Sequence, residues 1–339
     1  MKGFLPVLPF ILKRLGYMML ILVLASFAVY IIFSLLPFDP AALTCGKSCS
    51  PEIIEANRRR LGYDQPLLVQ YWHFIQGLWA GRNYGQGAAE FTCPAPSMGY
   101  SFRTKQCVTE KIVGAFPTTF GLAVGALSIY LTLGIALGVM AARKKGRWQD
   151  RSATVFVLLA TSLPSFFVGL MLLFTFSVKL GWFPNSLTDL AFPIFYEDPV
   201  GWMQRMFLPW MTLALVSAAI YTRYSRAQVL EIGSEDFVRT ARAKGLPERV
   251  VMRKHILRAA LAPLVTLAAL DFAGLLGGAV FTESIFGLPG IGRMAINSVN
   301  NIDLPIITAL TLIAAAIVIV ANMVVDILYA VLDPRVRSV

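Results

Sequence analysis

The chain has 339 residues, 57% of them hydrophobic and 14% charged, with a mean hydropathy of +0.66. These proportions exclude a soluble domain of this length and define a polytopic membrane protein. The formal charge of +11 does not point to nucleic acid, because the basic residues collect in short loops between apolar stretches.

A bilayer core roughly 30 Å thick needs about 20 apolar residues per helix. Six windows meet or approach that length: Leu15 to Leu36, Phe116 to Ala142, Ala153 to Val178, Phe207 to Tyr221, Ala259 to Phe281 and Ile306 to Val331. The fourth is the shortest. Lys13 and Arg14 precede the first window, and Arg143, Lys144, Lys145, Arg147 and Arg151 join the second to the third. A basic loop from Arg223 to Arg258 joins the fourth to the fifth, and Arg335 and Arg337 close the tail. By the positive-inside rule these four segments are cytoplasmic, which requires an even number of spans with both termini inside. The predicted fold is an all-α membrane protein of six transmembrane helices, N-in and C-in, with a large extracytoplasmic insertion between helices 1 and 2. The divisions are 1–37 (N-terminus and first span), 38–115 (exported region), 116–331 (core, with cytoplasmic loop 222–258) and 332–339 (tail). The first apolar run has signal-peptide charges, but it is long enough to span and no small-residue cleavage site follows it. It reads as an uncleaved helix.

The exported region holds all four cysteines, Cys45, Cys49, Cys93 and Cys107. That partition fits disulfides in an oxidising compartment, with three connectivities open. A metal site is the rival reading; against it stand the lack of a CxxC pair and a single nearby histidine, His73. Within the region, PEIIEANRRRLGYDQP reads as a helix with early acids and late arginines, stopped by Gly62 and Pro66. In the following PLLVQYWHFIQGLWAG, Leu68, Tyr71, Trp72, Ile75 and Leu78 share one broad face suited to the membrane surface. Gly81 to Cys107 reads as a loop or small hairpin held by disulfides.

In the spans, small residues recur at four-residue spacing: Gly121 with Gly125, Gly134 with Gly138, and Gly274 with Gly278. Such pairs let helices approach closely in lipid, and packing within the chain is the expected use. Pro164 and Pro209 are candidate kinks.

The loop between the fourth and fifth windows is the most informative stretch. Ser234 is placed to cap a helix that opens with Glu235 and Asp236 and carries Arg242 and Lys244 in its last turn. Gly245 sits where a left-handed C-terminal cap is wanted, and Pro247 prevents continuation. Phe237, Val238 and Ala241 give this short helix a narrow apolar face, which reads as a docking face for a soluble partner. A second helix begins at Pro247 and runs towards the membrane through Val250, Val251 and Ile256. A solvated basic loop on lipid headgroups is the alternative, but it needs no capped ends.

Asp271 lies near the middle of the fifth span, where an ionised carboxylate costs about 2.5–3.5 kcal/mol and so faces a cavity or a partner. Glu283 lies at the outer end of that span, at a gate or paired with an arginine. Asn322 and Asp326 share a face of the last span and read as a packing pair. His73 and His255 belong to no pattern.

The loop resembles that of the inner-membrane permeases of binding-protein-dependent ABC importers, most closely the branch serving dipeptides, oligopeptides and nickel. Ala-Arg-Ala-Lys-Gly is typical there and stands here as Ala241, Arg242, Ala243, Lys244 and Gly245. The family's Glu-Ala-Ala corresponds to Arg239, Thr240 and Ala241, so its acid is absent. LPFDP (Leu36 to Pro40) is similar to the family's Pro-Gly-Asp-Pro segment, with Phe38 in place of the glycine. RLGYDQPLLVQYWHF, TESIFGLPGIGRM and VVDILYAVLDPRVR match in order over most of the chain, whereas Gly85 to Cys107 has no counterpart and reads as an insertion.

The resemblance implies a permease subunit of an ATP-driven importer for peptides, with nickel or another small solute as the alternative. Its implied partners are a second permease subunit, two ATP-binding subunits or domains, an extracytoplasmic substrate-binding protein and the lipid bilayer of a bacterial inner membrane, with no nucleic acid. Ser234, Glu235, Asp236, Phe237, Val238, Arg239, Thr240, Ala241, Arg242, Ala243, Lys244 and Gly245 are then the ATPase-coupling segment. Asp271 and Glu283 are the candidates for the substrate path, where Asp271 can meet the ammonium end of a peptide. In the chain itself, CGKSC has only the end of a phosphate loop, with Ala41 where a glycine is needed, and no nucleophile is paired with a base. No catalytic residue, metal site or cofactor is assigned; ATP and Mg fall to the partners. An ion-coupled secondary transporter and a membrane-anchored sensor are the alternatives of other classes; the capped docking loop and single central acid argue against the first, and six spans with buried polar groups against the second.

Overall fold

A computed structural model describes residues 7–34, 50–61, 64–84, 91–101, 103–184, 192–193 and 195–332. Cys45, Cys49, the LPFDP segment and the tail from Asp333 lie outside the described residues, as does the side chain of Asp326. In chain order the helices are α1 (Val7–Ser34), α2 (Pro51–Leu61), α3 (Leu67–Ala80), α4 (Val108–Arg143), α5 (Trp148–Ser162) and α6 (Ser165–Leu172, continued as π turns over Leu173–Lys179). They continue with α7 (Pro199–Gly233), α8 (Asp236–Ala243), α9 (Glu248–Leu276), α10 (Val280–Ile285), α11 (Ile291–Asn300) and α12 (Leu304–Leu332). Among the described residues four short strands lie between α3 and α4: β1 (Arg82–Tyr84) pairs antiparallel with β2 (Phe91–Cys93), and β3 (Tyr100–Ser101) with β4 (Gln106–Cys107).

Among the described residues five helices are long and apolar enough to cross a membrane, or six if the bent pair α5–α6 is one span. The third predicted span is therefore broken. Ser162 ends one helix, Pro164 precedes the next, and the two are bent by 96°. Proline disfavours helical geometry in the residue before it, and Leu163 is extended there. Pro209 has no such effect, since α7 runs through it. The fourth window, shortest in hydropathy, becomes 35 residues of helix, because its polar flanks continue the same coil. At 1.5 Å per residue α7 is about 52 Å long, well beyond a hydrocarbon core. The fifth span ends at Leu276, short of the predicted Phe281, where Gly278 takes φ 114° and breaks the coil.

The chain forms two compact units, whose boundaries fall inside α4, between α10 and α11, and inside α12. The first comprises the described parts of Met1–Thr118 and Gly290–Met323. Its core is built from Val108, Ile112 and Ala115 on one face of α4, Ile291 of α11, and Ile306, Ala309 and Leu310 of α12. These follow the three-to-four spacing that puts residues on one helical stripe. α4 thus starts eight residues before Phe116, the predicted start of the second span. α3 packs on α1 through Tyr71, whose hydroxyl lies 2.7 Å from Ser26 Oγ, and through Tyr30, which donates to Gln70 Oε1 at 3.2 Å. Phe74 and Gly77 are the buried residues of α3, whereas Leu68 and Trp72 from the predicted apolar face stay exposed.

A disulfide joins Cys93 to Cys107, fourteen residues apart, and so ties β2 to β4. Ser101 donates to the buried Asp303 carboxylate, which anchors the strand region to the start of α12. Closing a loop of this size stabilises the folded state by about 3 kcal/mol on the chain-entropy view. In protein prepared without reductant, peptide mapping after thiol labelling is expected to find Cys93 and Cys107 unlabelled until a reductant is added. Free labelling of both beforehand would remove the bridge.

The second unit, the described parts of Thr119–Pro289 and Val324–Val339, is organised on a seam between α4 and α7. A Cβ added at Gly121 would lie 2.5 Å from the Trp202 ring, and at Gly125 2.1 Å from Trp210. At Gly134 it would lie 2.5 Å from Tyr221 Cβ, and at Gly138 2.6 Å from both Ser225 Cβ and the Thr222 carbonyl oxygen. The two glycine pairs of α4 thus serve packing within the chain. Trp210 also donates its indole N–H to the Gly121 carbonyl at 3.0 Å. Gly274 differs: nothing lies within 4 Å of an added Cβ there.

Candidate functional site

The predicted docking helix exists as α8, but its ends and its face differ from expectation. Ser234 does not cap it. That residue has helical dihedrals (φ −95°, ψ −8°) and still belongs to the end of α7, where its Oγ donates to the Glu231 carbonyl at 2.7 Å. An N-cap needs extended geometry, and Glu235 supplies it at ψ 150° without a side-chain cap bond. The C-terminal end is as the sequence predicts. Gly245 has φ 75° and donates its N–H to the Arg242 carbonyl at 2.9 Å, while Leu246 reaches back to Ala241 at 3.4 Å. This double bond pattern around a left-handed glycine satisfies the last carbonyls.

The apolar face points inward. Val238 is 0% and Ala241 5% exposed, packed with Ala142 of α4, Val229 of α7, and Val251, Ile256 and Ala260 of α9. The expectation that Phe237, Val238 and Ala241 together face a partner is thereby corrected. Two of the three are used to seat the helix, because an eight-residue helix with a narrow stripe has little stability of its own and needs tertiary packing. Phe237 is 46% exposed, and Glu235, Asp236, Arg239, Thr240, Ala243 and Lys244 are also open.

Arg242 adds a polar fastening. Its Nε and Nη2 donate to the two Glu248 carboxylate oxygens at 3.1 and 2.9 Å, and Nη1 donates to the Gly233 carbonyl at 3.2 Å. Hydrogen bonding to Glu248 pushes the guanidinium pKa up, so the fork stays charged at any working pH. The pair is about half exposed and contributes roughly 0–1 kcal/mol. Burying Val238 outright contributes about 1.5–3 kcal/mol, so the apolar seat is the stronger fastening.

A second ion pair, not seen from the sequence, braces the same end of the unit. Arg226 of α7 donates from Nε and Nη2 to Asp150 of α5 at 2.6 and 3.0 Å, and the Gly146 N–H donates to the same carboxylate at 2.9 Å. The Asp150 side chain is 10% exposed, so losing Arg226 would strand a buried charge. The one available signal was Arg226 lying a turn beyond an apolar window that continues as helix.

The two path candidates have different surroundings. Asp271 of α9 is exposed on the chain and accepts a 2.7 Å hydrogen bond from the Tyr221 hydroxyl of α7. Glu283 of α10 is fully buried and accepts from Thr119 Oγ1 at 2.8 Å, so it does not line an open passage here. Neither tyrosine nor threonine partner was legible, since Tyr221 and Asp271 are fifty positions apart in sequence.

Long apolar helices with a short amphipathic helix clipped to the ends of three of them define a multi-pass membrane protein. The family model for binding-protein-dependent transport system inner membrane components matches residues 134–338, and its N-terminal counterpart matches 7–123. The chain belongs to that family and is a permease subunit of an ABC importer. A Brucella abortus protein named as a peptide transport system permease is 36% identical over 96% of this chain and 98% of its own length. The glutathione transport system permease protein of Escherichia coli K12 is 36% identical over 97% of this chain and 99% of its own. Among solved structures, an inward-facing form of the MetNI methionine ABC transporter aligns with a TM-score of 0.51 and 16% identity. It covers 66% of this chain and 97% of that one, and shows a shared fold. The cysteine-bearing stretch lies within the region matched by the N-terminal model.

Proposed function

We propose that this chain is one of two permease subunits in a peptide importer of a bacterial inner membrane. It couples to two ATP-binding subunits or domains through α8 and receives substrate from an extracytoplasmic binding protein. The observation that carries this reading is the seat of α8: Val238 and Ala241 fasten it to the ends of three long helices, while Phe237, Arg239, Thr240, Ala243 and Lys244 stay open. A helix held in that way transmits a push on its open face to the spans. ATP binding by the partners draws the coupling helices of the two permeases together and turns the spans outward-open, and hydrolysis resets them. This chain binds neither ATP nor Mg; both belong to the partner subunits. Peptide cargo is supported by the relatives in Brucella and Escherichia coli, named for peptides and glutathione.

The test is uptake by the reconstituted complex with its binding protein. Peptides are expected to enter vesicles only while ATP is hydrolysed. Uptake driven by a proton or sodium gradient without ATP would contradict the reading.

A further inference from the structure

One acidic group, five residues before the C-terminal end of α9, has no role in the coupling geometry. Asp271 is exposed, and among the described residues no basic side chain pairs with it. The nearest basic residue preceding it on its own helix, Arg258, is roughly 20 Å away along the axis. Tyr221 donates to Oδ2, and Oδ1 has no hydrogen-bond partner among the described residues. Tyr221 is itself 2% exposed and locked from behind, because the α4 backbone at Gly134 leaves no room for a Cβ beside it. The Tyr130 ring lies 5.1 Å from the Tyr221 ring. The Tyr130 hydroxyl is buried without a partner among the described residues, within the electrostatic reach of Asp271. One turn further along α9, Gly274 leaves open space beside the carboxylate.

We propose that Asp271, held in place by Tyr221, is a binding site for the ammonium group of a transported peptide. The inference rests on the peptide-import reading and adds the residues that make the contact. A carboxylate only accepts hydrogen bonds. Here one oxygen is fixed by a buried donor and the other has no partner among the described residues, in a segment where an uncompensated charge is costly. A cation with several N–H donors satisfies both the charge and the free lone pairs. Tyr221 is a positioning residue: it keeps the carboxylate from rotating into the chain. Gly274 leaves room for the peptide backbone behind its ammonium group.

The experiment uses the full complex in vesicles and a defined mixture of di-, tri- and pentapeptides, half with a free N-terminus and half N-acetylated, with the luminal contents read by mass spectrometry. Asp271→Asn is expected to assemble and to lower the uptake of free-amine peptides relative to N-acetylated peptides by about tenfold. Asp271→Glu is expected to keep most of that preference, and Tyr221→Phe to lose about threefold of it. A purely structural role predicts equal losses for both peptide classes. An unchanged preference in Asp271→Asn would overturn the site, and so would loss of the second permease from that variant's complex, which would make Asp271 a subunit contact. If the wild-type complex imports no peptide with ATP, the peptide reading itself fails first and the site falls with it.

Discussion

Val238→Asp is expected to reduce ATP-driven uptake to background while leaving the protein in the membrane. Val238 is fully buried at the centre of the α8 seat, among side chains that offer no polar partner within the cluster. A carboxylate there meets a desolvation penalty of several kcal/mol, more than the roughly 1.5–3 kcal/mol that valine burial contributes. An eight-residue helix has no independent stability to oppose that loss, so α8 leaves its seat. Ala241→Glu acts in the same way, by breaking the seat rather than by altering the outer face. Val238→Ile, which keeps the seat apolar, is expected to retain most uptake. Uptake per assembled complex, with immunoblotting of the membrane fraction, reads both outcomes; normal uptake in Val238→Asp would show that α8 does not transmit force.

Gly138→Leu is expected to prevent accumulation of folded protein. The added Cβ would lie 2.6 Å from the Thr222 carbonyl oxygen, a backbone atom that cannot turn aside. Overpacking of this kind costs about 3 kcal/mol or more, and here it separates two of the three helices that carry the α8 seat. Gly114 lies on the same helix with nothing near an added Cβ, so Gly114→Ala is expected to stay within about 0.5 kcal/mol of wild type. Detergent-solubilised yield and melting temperature of the two variants make the comparison. Equal yields would contradict the close α4–α7 seam.

The parts of the fold that depend on local spacing were legible in the sequence. Hydropathy placed the long helices, and the Gly245–Pro247 pair placed the end of α8. Four-residue glycine spacing marked the α4 seam without naming the tryptophans, tyrosine and serine that fill it from α7. What depends on distant partners was not legible. Ser234 looks like a cap until α7 is seen to continue through Gly233, and Val238 looks like a docking residue until three helix ends are brought over it. Pro164 announced a kink but not a bend of 96°, because the size of a bend is set by what the two halves pack against. The Arg226–Asp150 brace and the Tyr221–Asp271 bond join helices far apart in sequence, with no local signature that names the partner.

The central claim is that the open face of α8 touches an ATP-binding partner. A photoreactive amino acid at Arg239, which is exposed on α8, tests it directly in the intact complex. The account predicts a cross-link to the ATP-binding subunit that changes in yield between the ATP-bound and nucleotide-free states, and none from the same probe at Leu180, exposed at the far end of the α6 segment. An actively transporting complex in which Arg239 gives no such cross-link, while Leu180 does, would contradict it.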